Sequence, residues 1–208
     1  TYDPQAYVPT GDALEGEYDL IGEDNVAGEE QQEQTMALAY YPDRSMNPLE
    51  ATDPNNRVLF SLIYQGLFTV DREYNVEPML CSRYTVSNDM TSYTFYVDPK
   101  ATFSDGSPVT IGDVEASLRY AKDCQLYRGR FSRISMMEGG LAIYLRTAYE
   151  NLPLLLDIPI LKADELEASH PLGSGPYKLT GAGTFLQLTR RANWWCDCDT
   201  YITAPVIS

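Results

Sequence analysis

The stretch FSDGSPVTIGDV, residues 103–114, combines a tight turn with the start of a helix. Gly106 can adopt the positive φ that such a turn needs, because it has no Cβ. Thr110 is followed three residues later by Asp113, a shortened capping box, so a helix is predicted to begin directly after Thr110. The inner face of this helix would carry the apolar residues Val114, Leu118 and Ala121.

The segments around this stretch alternate between helix and strand signals. Asp53 and Pro54 predict the N-cap and first residue of an earlier helix, and Gly66 predicts its end. Its inner face would carry Val58, Leu59, Leu62 and Ile63. Strands are predicted at residues 36–41, 67–70, 83–87, 92–97, 141–146, 177–179 and 185–189, with a hairpin turn at Asn88-Asp89. This irregular alternation indicates a mixed α/β or α+β architecture.

The composition excludes several classes of protein. The 208 residues hold 15 Lys and Arg against 30 Asp and Glu, a formal net charge of −15. Nucleic-acid binding needs clustered cations, so no nucleic-acid partner is expected, and adhesion to an anionic membrane through a basic patch is equally disfavoured. No apolar run reaches the roughly 18 residues of a membrane span. A hydrophobic fraction of 44% is typical of a globular chain.

Most of the excess acid lies at the start of the sequence. The first 43 residues contain 11 acidic side chains and no Lys or Arg, whereas the rest of the chain contains 19 acids and 15 bases. Residues 1–34 are therefore predicted to form an acidic leader or tether, either a plain spacer or a stalk that holds residues 35–208 away from an envelope surface. No basic segment precedes an apolar one, so any export signal is expected to have been removed or never to have existed.

Four cysteines, Cys81, Cys124, Cys196 and Cys198, leave the disulfide pattern open among the three pairings that four cysteines allow. No CxxC pair occurs and no histidine lies nearby in the sequence, so a zinc site is not expected. A bridge between Cys196 and Cys198 would be strained, so each of them is expected to pair elsewhere.

Residues suited to covalent or acid–base catalysis are scarce. His170, the single histidine, precedes Pro171 in a predicted loop, and no G-x-S-x-G elbow surrounds a serine. The Gly173-Ser174-Gly175 segment lacks the Lys-Ser or Lys-Thr of a phosphate-binding loop, and no D-x-D-x-D-G calcium loop occurs. The residues alone therefore predict a non-enzymatic binding module with no metal and no cofactor.

Short motifs follow one another along the chain in a characteristic order. They are Asn47-Pro48-Leu49, Leu62-Ile63-Tyr64-Gln65-Gly66-Leu67, Pro78-Met79-Leu80-Cys81, Tyr93-Thr94-Phe95, residues 103–114, Gly173-Ser174-Gly175-Pro176-Tyr177 and Asn193-Trp194-Trp195. This order resembles the family 5 extracellular solute-binding proteins of ABC importers, the dipeptide-, oligopeptide- and nickel-binding type. Residues 103–114 resemble the family signature F-x-D-G-x-P-[VL]-T-x-x-D-V most closely. Each motif is weak alone, but their order over residues 36–195 is specific.

The resemblance implies an α/β fold with a mixed sheet, of the periplasmic-binding-protein-like type II. Members of the family have two lobes that close over a solute, and they are much longer than this chain. Residues 35–208 are therefore expected to form the N-terminal lobe, including the extra α/β subdomain of the peptide-binding class, with the second lobe absent. One lobe offers half a cleft, so this chain alone is expected to bind weakly or not at all.

The resemblance also implies a small set of ligand-binding residues. Thr52, Asp53 and Pro54 match the loop where peptide-binding members contact the ligand backbone. Tyr127 matches a subdomain tyrosine that can face the cleft, and Asp157 lies near another cleft-lining stretch. The residues themselves favour a plain helix N-cap for Asp53, and they leave surface packing open for Tyr127 and Asp157.

The expected function is solute capture for an ABC importer, with a peptide as the favoured solute and permease subunits as partners. Lobe closure would precede docking to the permease, at the extracellular face of the cell envelope or in the periplasm. A membrane-anchored lipoprotein is expected, tethered through a removed N-terminal signal or lipid anchor. The alternative is an envelope interaction module that keeps the lobe fold without transport.

Overall fold

The computed structural model describes residues 45–182 and 185–196, which fall within one compact unit of the chain. The acidic leader and the strand predicted at residues 36–41 lie outside the described residues. The described elements are α1 (Pro54–Ile63), β1 (Phe68–Val70), β2 (Val76–Pro78), β3 (Cys81–Val86), β4 (Ser92–Val97), α2 (Ile111–Ala121), β5 (Arg133–Met137), β6 (Gly140–Tyr144), a 3-10 helix (Leu152–Leu155), β7 (Tyr177–Ala182) and β8 (Phe185–Arg190).

Within these ranges the strands form three antiparallel sheets. β1 pairs with β2, β7 pairs with β8, and the largest sheet has the strand order β3-β4-β6-β5. Helix α2 contacts β5 and β6 of this sheet. Phe95, Leu118 and Leu141, from the sheet and from α2, are all fully buried and belong to one apolar core. The architecture is mixed α/β, as the sequence predicts.

The hairpin predicted around Asn88-Asp89 is confirmed, since β3 and β4 pair antiparallel with Tyr84 opposite Phe95. The strand at Arg133–Met137 was missed. It is an edge strand in which Ile134 is buried while Met136 and Met137 are largely exposed. An edge strand buries too few side chains to show a clear period-two pattern, so its sequence carries little strand signal.

Helix α2 begins where the capping-box pattern predicts. Thr110 Oγ1 accepts a hydrogen bond from Asp113 N at 3.2 Å, and Asp113 Oδ2 accepts one from Thr110 N at 2.8 Å. The other carboxylate oxygen, Asp113 Oδ1, accepts from Ala163 N at 2.9 Å. Ser117, one turn on, exchanges two hydrogen bonds with the backbone of Leu161. The helix therefore holds the segment at 161–163 as well as its own first turn.

The turn before α2 also has the predicted form. Gly106 has a φ of 87°, and Asp105 Oδ1 accepts from the amide and hydroxyl of Ser107 at 2.8 and 2.6 Å. Lys162 Nζ donates to Asp105 Oδ2 at 2.9 Å. The hydrogen bond from the Ser107 hydroxyl, reinforced by Lys162, lowers the pKa of Asp105 to about 2. These contacts give Asp105 a structural role in the turn.

Helix α1 starts at Pro54 after Asp53, as predicted, but it ends at Ile63 with Tyr64 as the C-cap, three residues before Gly66. Its buried residues are Asn56, Leu59, Phe60 and Ile63. Val58, which was expected on the inner face, is 57% exposed. The buried stripe is rotated because the polar Asn56 takes a core position, with Nδ2 directed to the Met46 sulfur at 3.5 Å.

The loop Gly173–Gly175 packs against the C-terminal end of α1. A Cβ added to Gly173 would lie 2.0 Å from Ile63 O, and one added to Gly175 would lie 2.6 Å from Leu62 O. Gly175 N donates to Ile63 O at 2.8 Å, and Gly173 O accepts from Ser104 N at 2.9 Å. The glycines therefore permit a close backbone contact, which explains this motif without a phosphate ligand.

Two later motifs also meet at this loop. The indole Nε1 atoms of Trp194 and Trp195 each donate to Ser174 O at 2.8 Å. The Arg191 guanidinium donates to Thr102 O, Ser174 O and Gly175 O, each at 3.1 Å. These hydrogen bonds bring together motifs that are far apart in the sequence, and they give the backbone carbonyls of the loop their partners.

The pairing of the cysteines differs from the expectation. Cys81 and Cys124 are both free, whereas Cys196 is disulfide-bonded. The prediction that Cys196 pairs with one of these two distant cysteines is therefore wrong. Cys198 lies outside the described residues. Burial raises the pKa of both free thiols.

Candidate functional site

A cleft of about 380 Å³ lies where α1 ends and the chain passes into β1. We call it the α1 cleft. Its described lining residues are Pro48, Arg57, Phe60, Ser61, Leu62, Tyr64, Gln65, Gly66, Phe68, Thr69, Val70, Tyr127, Asp157 and Pro159. Apolar walls with a few polar groups are typical of small-molecule sites.

One side of the α1 cleft comes from α1, which its N-cap anchors. Asp53 Oδ1 accepts from Asn55 N at 2.9 Å and from Asn56 N at 3.2 Å. Arg57 and Ser61 are four residues apart and therefore lie on one face of the helix, beside the cleft. The direct role of Asp53 is thus to start the helix that carries Arg57.

A second part of the lining comes from a strap, residues 156–160, that runs close to the end of α1. Phe68 N donates to Leu156 O at 3.3 Å, and Ile160 N donates to Gln65 O at 2.9 Å. A Cβ on Gly66 would lie 2.9 Å from Ile158 O, so only glycine permits this approach. The strap places Asp157 at the edge of the cleft.

Asp157 is paired with Arg130, which also contacts Tyr127. Arg130 Nη1 donates to Asp157 Oδ1 at 2.6 Å and to Leu155 O at 2.7 Å. The centre of the same guanidinium lies 4.8 Å from the centroid of the Tyr127 ring. Because both charged side chains are partly solvated, at 23% and 39% exposure, the ion pair fixes geometry more than it adds stability.

Tyr127 is a buried lining residue of the α1 cleft. It is 3% exposed, and its hydroxyl donates to Pro48 O at a long 3.5 Å. Burial raises the pKa of this hydroxyl, and the nearby charge of Arg57 opposes the rise. Tyr127 is therefore neutral at physiological pH and offers an aromatic face with a weakly engaged hydroxyl.

Gln65 is the least satisfied polar residue of the α1 cleft. Its side chain is 4% exposed, and Nε2 is buried with no hydrogen-bond partner. Buried amide donors are nearly always paired in folded proteins, so an unpaired one calls for an explanation.

The structure brings together two of the five predicted ligand residues. Tyr127 and Asp157 line the α1 cleft, whereas Thr52, Asp53 and Pro54 lie at the first turn of α1 and are not among its described lining residues. Ligand contact by any of the five stays a prediction.

Two polar lining residues of this site, Arg57 and Gln65, were missed from the sequence, and so was Arg130, which pairs with Asp157. Gln65 lies within the quoted motif of residues 62–67, but nothing local shows that its amide stays unpaired. The sequence indicates the position of Arg57 only weakly, through its place one helical turn after the predicted N-cap. Nothing in the local sequence indicates Arg130, because its partner Asp157 is 27 residues away.

A second, larger groove of about 810 Å³ lies at the end of α2. We call it the basic groove, because its described lining includes four cations, Lys122, Arg128, Arg130 and Arg146, and one acid, Asp123. Several of these cations already bind backbone carbonyls: Lys122 Nζ donates to Ser132 O at 2.6 Å and Arg128 Nη2 to Asp123 O at 3.1 Å. The α1 cleft, with its unpaired Gln65, is the stronger candidate.

Residues suited to other chemistry do not converge in the described ranges. His170 is exposed in the loop before Pro171. Among residues 45–182 and 185–196, no group of three or more His, Cys, Asp and Glu side chains is arranged to hold a metal ion. Within the same ranges, no helix has the length and apolar character to cross a membrane.

Comparison with known families supports the resemblance. The sequence model of the bacterial extracellular solute-binding proteins, family 5 (middle), matches residues 75–204, which is more than half of the chain. The chain belongs to this family. The glutathione-binding protein GsiB of Escherichia coli O1:K1 is 24% identical over 169 residues, covering 73% of this chain and 33% of the relative. The chain thus spans about a third of the length of the curated relatives that it matches.

Solved structures agree on the fold, a type II periplasmic-binding-protein architecture. One is the binding protein AgaA of A. tumefaciens R10 in complex with agropinic acid, with a TM-score of 0.67, 23% identity, and coverage of 77% of this chain and 36% of that one. Another is NikA of Brucella suis in complex with Fe(III)-EDTA, with a TM-score of 0.66, 20% identity, and coverage of 84% and 38%.

Proposed function

We propose that this chain is part of the solute-capturing subunit of an ABC importer, and that the α1 cleft is the half of the binding site that this lobe supplies. The observation that carries the proposal is the convergence of Tyr127 and Asp157 on one cleft, although they are distant in sequence and were both implied by the family resemblance. Residues 35–208 act as the N-terminal lobe, and a second lobe closes over the solute.

A peptide is the favoured solute. The chemistry of the α1 cleft suits one: Asp157 can accept hydrogen bonds from peptide or ammonium N–H groups, and Phe60, Tyr127 and Pro159 supply apolar contact. A relative whose name describes it as glutathione-binding supports this choice, since glutathione is a small peptide. Among the described lining residues of the α1 cleft, no nucleophile is paired with a base, and the proposed role is binding without turnover.

The lobe that this chain supplies encloses the solute only partly. With one lobe, a solute is covered on one side only, so its affinity is low and exchange is fast. Closure of a second lobe buries the other side, and the closed form docks to the permease. Residues 1–34 serve as an acidic tether at the extracellular face or in the periplasm, in a lipoprotein held by a lipid anchor.

The test is a thermal-shift and calorimetric screen of the full-length gene product with glutathione and pooled di- to pentapeptides. A ligand present at 100 times its Kd that binds only the folded form adds about 2.7 kcal/mol of stability, which is measured as a rise in Tm. Asp157→Asn is expected to weaken binding at least several-fold, while Glu77→Gln, on exposed strand β2, is the matched control.

If none of these ligands raises Tm while the protein stays folded, the peptide assignment is wrong. Stabilisation by another solute class, such as a chelated metal, would keep the transport role and replace the solute. A full-length protein that no solute stabilises, but that captures a stoichiometric envelope partner, would favour the interaction module instead.

A further inference from the structure

The basic groove carries an excess of positive charge. Of the four cations in its described lining, Arg130 is neutralised from outside the groove, because its Nη1 lies 2.6 Å from Asp157 Oδ1. The other three cations, Lys122, Arg128 and Arg146, share the lining with the single described acid Asp123. The residues after position 43, in contrast, hold 19 acids and 15 bases. The groove is therefore a positive surface on a chain whose net charge is negative.

Neutral backbone atoms hold two of these three cations in place. Lys122 Nζ donates to Ser132 O at 2.6 Å, and Arg128 Nη2 donates to Asp123 O at 3.1 Å. Carbonyl oxygens fix the side chains but carry no net charge, so the mutual repulsion of the cations remains. An anion that enters the groove relieves this repulsion.

The third cation, Arg146, is the most available. It lies two residues beyond the end of β6 and is exposed. Within residues 45–182 and 185–196, its guanidinium makes no ion pair and no hydrogen bond. Its five N–H donors form a planar fork that matches the two oxygens of a carboxylate.

The groove also has an apolar part. Its described lining includes the side chains of Phe131, Leu145, Ala148, Tyr149 and Leu155. Apolar groups between cations suit a ligand that combines several negative charges with apolar side chains, and an acidic stretch of polypeptide has this chemistry. An anionic bilayer is disfavoured, because its surface is flat and the groove is concave. Nucleic acid is disfavoured as well, because its binding depends on neutralising many phosphates and three cations neutralise few.

We propose that the basic groove is an interaction surface for an acidic segment of a partner protein, in which carboxylates alternate with apolar side chains. Carboxylates of the segment pair with Arg128, Arg146 and Lys122, and an apolar side chain contacts Tyr149. The basic groove and the α1 cleft have no described lining residue in common, so this role goes beyond solute capture and does not depend on which solute is bound.

The experiment uses fluorescence anisotropy on the full-length gene product with a labelled octapeptide, Glu-Glu-Leu-Glu-Glu-Leu-Glu-Glu. The same peptide with glutamine in place of every glutamate is the matched control. The glutamate peptide is expected to bind about tenfold more tightly or better at 50 mM salt, because charge-assisted hydrogen bonds are about twice as strong as neutral ones. This preference is expected to shrink at 500 mM salt, where the Debye length is only about 4 Å.

Variants locate the interaction. Arg146→Gln is expected to weaken binding of the glutamate peptide about fivefold or more, and Arg146→Lys is expected to retain part of it, because lysine keeps the charge but not the fork. Arg72→Gln is the matched control: Arg72 is exposed between β1 and β2 and is not among the described lining residues of the groove. Hydrogen exchange gives an independent location, since the glutamate peptide is expected to slow exchange within residues 128–132 and 145–149.

Three results would overturn the proposal. One is equal binding of the two octapeptides, or an equal loss in Arg146→Gln and Arg72→Gln. Another is exchange protection confined to residues 57–70, which would place the acidic peptide in the α1 cleft. The third is tighter binding of single-stranded oligothymidylate or of phosphatidylglycerol vesicles than of the glutamate peptide, which would make the groove a site for another polyanion. None of these results decides whether the protein captures a solute, which the thermal-shift screen tests separately.

Discussion

The close contact between the 173–175 loop and α1 makes Gly173→Ala a sharp test of the fold. The added Cβ would lie 2.0 Å from Ile63 O and 2.8 Å from both Ile63 C and Ile63 Cγ2. Real Cβ atoms do not approach backbone oxygen so closely, so the loop or the end of α1 must move. Overpacking of this kind costs typically 1–3 kcal/mol, and a clash with backbone belongs at the upper end, about 3 kcal/mol.

Gly112→Ala is the matched control with the opposite sign. Gly112 lies in the first turn of α2, and its added Cβ meets only Thr110 Oγ1, at 3.5 Å. Alanine in a helix is favoured over glycine, so this variant is expected to gain about 0.5–1 kcal/mol. Urea denaturation monitored by circular dichroism gives both values, and Tm is expected to fall by roughly 6–12 °C in Gly173→Ala. A Gly173→Ala protein within 0.5 kcal/mol of the parent would refute this reasoning, since the clash would then be relieved at no cost.

Three further expectations follow from single contacts. In Gly66→Ala the added Cβ would lie 2.9 Å from Ile158 O. This variant is expected to lose about 1–3 kcal/mol of folding stability and to bind peptide more weakly, because the strap must move. Unchanged binding in calorimetry would show that the position of the strap does not affect the site. Thr110→Ala removes the N-cap of α2 and is expected to lower the free energy of unfolding, measured by urea titration, by about 1 kcal/mol. An unchanged urea midpoint would contradict this expectation. The pKa of Asp105 is lowered to about 2, so its contribution is present above the unfolded-state pKa near 3.9 and is lost as the pH falls toward 2. Asp105→Asn is therefore expected to reduce stability clearly at pH 7 and much less at pH 2, and an equal loss at both pH values would contradict this assignment.

The sequence predicts best where the responsible contacts are local. The capping box of Thr110 and Asp113 and the N-cap at Asp53 were predictable, because donor and acceptor lie two or three residues apart. The φ of Gly106 was predictable for the same reason. These features place both helices correctly to within three residues.

Prediction fails where burial or pairing is set by distant parts of the chain. Val58 has the spacing of a core residue, yet Asn56 takes the buried position because α1 packs with that side inward. The Arg130–Asp157 pair spans 27 residues and the Tyr127–Pro48 contact spans 79, so no local pattern signals them. Whether the Gln65 amide finds a hydrogen-bond partner depends on the residues that surround it in the fold, so the local sequence does not predict that it stays unpaired.

Binding of the solute in the α1 cleft can be tested by photo-crosslinking. A tripeptide carrying a benzophenone would be irradiated with the full-length gene product, and the labelled residues would be identified by mass spectrometry. Binding in the α1 cleft predicts labels within residues 57–70, at Tyr127 and at 157–159, which an excess of unlabelled peptide suppresses. Competable labels confined to the basic groove, between Lys122 and Tyr149 but excluding Tyr127, would contradict it.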